Sequence, residues 1–171
     1  SLYSNAYAAT KNELYKSIVE DSVTFLEEKL LDKKHGFYSS LDADSLTTDN
    51  KLVEGAYYVW KESQLKDILK SDYPIFADYF NINSYGLWEE DNYVLIRDGE
   101  ALDIAMKHSI TKIELKEIIS NSLALLKKER AKRKKPRLDD KILTSWNGLA
   151  LKGLTDACLL YTSDAADDLL C

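Results

Sequence analysis

Pro136-Arg137-Leu138-Asp139-Asp140-Lys141-Ile142-Leu143-Thr144-Ser145-Trp146-Asn147-Gly148-Leu149-Ala150 is the stretch on which the reading of this chain turns. Between Asp139 and Asn147 it sets two adjacent carboxylates, a lysine, two hydroxyls, an indole and an amide just where a helical pattern begins. A Ser or Thr before an apolar periodic run reads as an N-cap, and the unpaired N–H groups of a first helical turn suit anionic or hydroxylated ligands. Two readings stay open on these residues alone. In one, Asp140 and Thr144 cap and brace the helix while Trp146 fills core; in the other, the cluster faces a ligand.

Downstream, the helix from Ser145 carries Leu149, Ala150, Leu154 and Ala157. Beyond Cys158 the text changes character, so residues 1–157 are expected to be the domain and 158–171 a non-native tail. Upstream, residues 127–137 hold eight Lys or Arg against one Glu in a chain of net charge -6, so the basicity is local. Cations at a helix C-terminus complement its dipole, and a solvated helix end is expected there. Nucleic-acid binding is not expected: the run has no interleaved aromatics, and the rest of the chain is acidic.

Helical spacing recurs through most of the chain. Leu2, Ala6 and Ala9 read as the tail of one helix; Leu14, Ile18, Val19, Phe25, Leu26 and Leu30 predict a long one from Asn12, with Gly36 helping to end that region. Leu65, Ile68 and Leu69 fit a short helix over 61–70, and Pro74 suits the first turn of another that buries Phe76, Tyr79 and Phe80. A helix is expected near 99–107. Thr111 and Glu114 form a capping box for one whose inner face is Leu115, Ile118, Ile119, Ser122, Leu125 and Leu126.

One region breaks the pattern. The aromatic and β-branched residues of Gly36–Ser45 and Val53–Trp60, either side of a polar loop over about Leu46–Lys51, predict two short strands enclosing an acidic excursion, and Asn92–Ile96 reads as a third strand or a buried extended piece. Asp42 and Asp44 share a face on an extended backbone, whereas a turn splays them. The fold class is therefore mainly α with a short β-hairpin excursion. No apolar run of 18 residues exists, so membrane insertion is not expected, and Cys158 and Cys171 lack metal or redox spacing, which points to a reducing, cytoplasmic setting. No metal or cofactor is expected. His35 and His108, beside a turn and near a helix end, are expected to be surface residues without a role.

Three blocks taken together carry a resemblance. Gly36-Phe37-Tyr38-Ser39-Ser40-Leu41-Asp42-Ala43-Asp44-Ser45, then Glu54-Gly55-Ala56-Tyr57-Tyr58-Val59-Trp60, then Arg137 to Gly148 resemble in order and spacing the thioredoxin-domain-containing spermatogenesis-associated protein family and its bacterial relatives. The resemblance implies a thioredoxin-like domain followed by a helical toroid of α/α hairpins, similar to N-acylglucosamine 2-epimerase and six-hairpin glycosidases. This chain is then expected to be an internal piece of the toroid, with the redox domain and the remaining hairpins as its partners in the same protein. An open toroid exposes helix faces such as Ile18, Phe25, Ile118 and Leu125.

In sugar-active toroids of this kind the rim loops surround a ligand cavity. The resemblance thus makes Asp42, Asp44, Asp139 and Asp140 the candidate acid/base or hydroxyl-binding groups. Tyr38, Glu54, Tyr58, Trp60, Lys141, Trp146 and Asn147 become candidate contacts for a sugar, with Trp60 and Trp146 as stacking platforms. Glycoside hydrolysis needs two carboxylates about 5 Å apart for retention or about 6.5–9.5 Å for inversion. A sugar isomerase, a glycosidase and a non-catalytic binding module attached to a redox domain all remain open.

Overall fold

Apolar residues at helical spacing form helices here wherever a cap marks their start. A computed structural model of the chain describes residues 1–168 apart from 33, 35 and 98, with side chains described as far as 158. His35 and Cys171 lie outside the described residues. The α-helices among the described residues are α1 (Leu2–Thr10), α2 (Glu13–Phe25), α3 (Glu62–Leu69), α4 (Tyr73–Tyr79), α5 (Ala101–Lys107), α6 (Lys112–Arg130) and α7 (Thr144–Asp168). The strands are β1 (Leu31–Asp32), β2 (Gly36–Phe37), β3 (Ser40–Leu41), β4 (Asp44–Leu46), β5 (Leu52–Glu54), β6 (Trp60–Lys61), β7 (Asn92–Tyr93) and β8 (Leu138–Asp139). They form antiparallel two-stranded ladders, β1–β2, β3–β8, β4–β5 and β6–β7. The chain is mainly α, as its periodicity predicts. Among the described residues no helix is long and apolar enough to cross a membrane.

The chain divides into two units. The first joins Ser1–Asp42 to Leu138–Cys171. In it α1 ends at Lys11, whose N–H reaches the Tyr7 carbonyl at 2.7 Å, and Asn12 caps α2 by accepting the Leu14 N–H at 3.0 Å. A π-helical turn, Leu26–Leu30, closes α2 before β1. α1 packs on both α2 and α7, burying Ser4, Tyr7, Val19 and Ala157.

The second unit, Ala43–Arg137, holds the larger core. Its cluster is Trp60, Leu65, Leu69, Phe76, Phe80, Ile82, Ile104, Ala105, Leu115, Ile119 and Leu126. Leu65 and Leu69, one turn apart, put the apolar face of α3 on α6, and a Leu buried in this way contributes about 1.5–3 kcal/mol. Pro74 sits in the first turn of α4 as expected, and the rings of Phe76 and Phe80 tilt together at 4.7 Å. The capping box is present: Thr111 Oγ1 accepts the Glu114 N–H at 3.1 Å and the Thr111 N–H donates to Glu114 Oε2 at 2.7 Å. The excursion is a hairpin, β4–β5, turning through Thr47–Lys51, where the Thr47 N–H meets the Lys51 carbonyl at 2.8 Å.

Four expectations need correction. Leu14 of α2 has the spacing of a core residue yet stays exposed; Phe25 and Leu125 are exposed as an open helical segment predicts, whereas Ile18 and Ile118 are half-buried. Gly36 does not end the α2 region: that region stops at Leu30, and Gly36 belongs to β2. His108 is not an idle surface residue, since its Nε2 lies 2.6 Å from Asp78 Oδ2, an oxygen that Lys107 Nζ also reaches at 2.8 Å. Nor is the basic run a wholly solvated helix end, because Arg133 turns into the second unit.

Candidate functional site

The first and third sequence blocks meet in the first unit. β3 and β8 pair with Ser40 opposite Asp139 and Leu41 opposite Leu138. Just before β3, the Ser39 N–H and hydroxyl both donate to the Asp139 carbonyl, at 3.2 and 3.1 Å. Asn147, in the first turn of α7, completes the clasp: its Oδ1 accepts the Phe37 N–H at 2.7 Å, while Nδ2 donates to the carbonyls of Phe37 (2.9 Å) and Leu143 (3.0 Å). The amide thus lies against the backbone of β2. Gly36 is required there twice over, by its φ of +118° and because a Cβ would stand 2.6 Å from Asn147 Oδ1.

Around this clasp stand the polar groups. Lys141 Nζ binds both carboxylate oxygens of Asp139 at 2.6 Å, which holds that carboxyl below the usual carboxylate range. The Tyr38 hydroxyl donates to Asp32 Oδ1 at 2.9 Å; this bond above all, then burial and the charges of Asp32 and Asp140, pushes the phenol up. Asp140 is exposed. By the register of the ladder, Asp42 follows β3 at one end and Asp140 follows β8 at the other, with Asp139 between them. Thr144 is already the first residue of α7, and the Asn147 N–H is taken by the Leu143 carbonyl at 3.0 Å, so the helix begins one residue earlier than its hydroxyls suggest. Trp146 fills no core: 52% of it is exposed.

The second block belongs to the other unit. The D-x-D pair is divided, because the chain bends at Ala43, leaving Asp42 after β3 and Asp44 at the head of β4. Asp44 stands opposite Glu54 across the hairpin, two like charges on one ladder. Ser45, buried, accepts the Tyr57 N–H at 2.8 Å, and a tight turn over Gly55–Val59 follows. Trp60, expected as a platform, is only 2% exposed and packs in the core. Tyr58 remains 40% exposed.

Arg133, which the sequence reading passed over inside a basic run, organises this block. Its Nη1 donates to the carbonyls of Ala56 (3.3 Å), Tyr57 (3.1 Å) and Val59 (2.7 Å), and its guanidinium lies 3.9 Å from the Trp60 ring centroid. Lying flat on the indole while donating to the turn suits a planar guanidinium. Arg130 stacks in turn near Tyr57 and Tyr58, at 5.7 and 5.5 Å. No local periodicity separates these two arginines from their neighbours, so only the fold reveals them.

Comparison with known proteins bears on the family. No family model matches the chain. An uncharacterized protein of Caenorhabditis elegans is 31% identical over 175 residues, covering 91% of this chain and 24% of that protein. Spermatogenesis-associated protein 20 of Homo sapiens is 28% identical over 171 residues (88% of this chain, 22% of the relative), and its Mus musculus counterpart 27% over 172 (89% and 22%). These matches support the spermatogenesis-associated family. The chain spans about a quarter of the length of the curated relatives it matches.

Proposed function

We propose that this segment is the sugar-recognising part of a toroid-like helical domain within a longer, thioredoxin-domain-containing protein. One observation carries the reading: the β3–β8 ladder and the Asn147 amide fasten the first block to the third, so that Tyr38, Asp139, Asp140, Lys141 and Trp146 share one framework. An ionised carboxylate accepts hydroxyl hydrogens, an ammonium donates to ring and hydroxyl oxygens, and an exposed indole covers the apolar face of a pyranose. Glu54 and Tyr58 offer an acceptor and a ring of the same kind in the second unit. The rest of the longer protein, redox domain and further hairpins included, is the partner this reading assigns, in the cytoplasm.

The Asp139–Lys141 pair argues against Asp139 as a general acid. A general acid has to hold its proton near neutral pH, and a carboxyl kept low by an ammonium is unsuited to that. Sugar isomerisation or glycoside hydrolysis by the whole protein would turn on Asp42 or Asp140 instead. The test is a panel of aldoses, N-acylated amino sugars and aryl glycosides presented to the full-length protein and its Asp140→Asn variant. Binding that weakens in the variant, without turnover in either, supports the reading. Turnover lost in the variant would replace it with the catalytic one, and no binding by either protein would refute it.

A further inference from the structure

Trp88 takes the place that sequence assigned to Trp60. We infer that Trp88 is the stacking platform of the second unit, and that the Trp88–Gly55 contact builds a surface subsite for a hydroxyl-rich pyranose ring; this rests on the sugar-recognition reading above. The indole atoms Cζ3 and Cη2 stand 2.7 and 2.8 Å from where a Cβ on Gly55 would lie, so the ring occupies the space that only glycine leaves. Gly55 also has φ +68°, the left-handed region that glycine adopts without a Cβ penalty. With this contact made, Trp88 is still 38% exposed, and Tyr58 is exposed in the turn that Gly55 begins.

The backbone that carries the ring is fastened as well. The Trp88 N–H donates to the Asn92 carbonyl at 2.8 Å, Leu87 pairs with Tyr93, and Asn92 Nδ2 donates to the Glu89 carbonyl at 2.9 Å. β7 then ties the hairpin to β6, with Tyr93 opposite Trp60. At the tip Glu90 and Asp91 both adopt positive φ, 52° and 59°, a conformation that costs energy in residues other than glycine. Exposed acidic residues neighbour both in the chain: Glu54 precedes Gly55, and Glu89, Glu90 and Asp91 follow Trp88. An immobilised aromatic face beside hydroxyl acceptors is what recognition of a pyranose requires. A protein partner seated on Trp88 would use its apolar bulk rather than its flat face, and so makes a different prediction.

The chain has three tryptophans, which report separately through their indole N–H resonances. Chitotriose and cellotriose are titrated into the isotope-labelled chain, into Trp88→Tyr, which keeps a flat ring, and into Trp88→Leu, which keeps only apolar bulk. The buried Trp60 resonance checks that each variant is folded. The inference predicts that at least one probe moves the Trp88 resonance, that Trp88→Tyr binds nearly as well as the parent, and that Trp88→Leu binds about tenfold more weakly. If only Trp146 responds, the Trp88 subsite is refuted while sugar recognition at the clasp stands. Should neither exposed indole respond to either probe, both fall. Equal binding by Trp88→Leu and the parent would show that the ring face is unused and would also overturn the inference.

Discussion

Asn147→Ala tests how the first and third blocks are joined. It removes the acceptor for the Phe37 N–H (2.7 Å) and the donor to the carbonyls of Phe37 (2.9 Å) and Leu143 (3.0 Å). A net hydrogen bond is worth roughly 1 kcal/mol, so three set a ceiling near 3 kcal/mol. Water reaches this half-buried site, and the Leu143 carbonyl keeps the N–H of residue 147, so the expected loss is about 2 kcal/mol. The loss is local. It is read best by amide hydrogen exchange at Phe37 and Ser39, with the amides of α6 in the second unit as the internal reference. About 2 kcal/mol corresponds to roughly 30-fold faster exchange at Phe37 with α6 unchanged. Asn147→Asp keeps the acceptor and loses both donors, and should fall between parent and Ala. Exchange at Phe37 within about twofold of the parent would refute the reasoning, because no other described side chain holds that N–H.

Other outcomes follow from single contacts. Arg133→Met keeps the apolar stem but loses three carbonyl contacts and the charge over Trp60; urea unfolding of the second unit should show about 2–4 kcal/mol of destabilisation, and a loss below about 1 kcal/mol would mean the turn holds itself. Ser122, 1% exposed in α6, has a hydroxyl without a hydrogen-bond partner among the described residues, so Ser122→Ala should be neutral or stabilising by up to about 1 kcal/mol in the same assay. Burial raises the Asp78 carboxyl, but the bonds from Lys107 and His108 outweigh it and leave it below its ordinary value. A depressed carboxyl contributes stability above its unfolded value, near 4, and loses it as pH falls through the folded one, so α4 and α5 should loosen on acidification below about pH 4. Asp78→Asn should flatten that part of the pH dependence of exchange in α5.

Local rules were legible and distant ones were not. The Thr111–Glu114 box and Pro74 in the first turn of α4 are each written within a few residues and form where expected; of the two expected strands only the inner ends, Asp44–Leu46 and Leu52–Glu54, pair with each other. The β3–β8 pair joins residues about a hundred positions apart, and two-residue strands leave no alternation to read. Spacing alone also cannot say how far a neighbour covers a helix, which is why Leu14 has a core position and an exposed side chain. Trp60 and Trp88 illustrate the same limit at the candidate site. Both are tryptophans beside short strands, yet one is paired across β6–β7 and closed over by Arg133, while the other sits at a hairpin tip with its ring on Gly55. The resemblance carried by the three blocks does not distinguish which of their side chains reach the surface: Trp60 is buried while Tyr58 and Trp146 are exposed.

The most direct test of sugar recognition at the clasp is a heteronuclear NMR titration of the chain with N-acetylglucosamine and its oligomers. The account predicts concerted shifts at Tyr38, Asp140, Lys141 and the Trp146 indole, lost in Trp146→Leu and weakened in Asp140→Asn. A titration that leaves these resonances in place, while the Asn147 clamp remains intact by exchange, would contradict it.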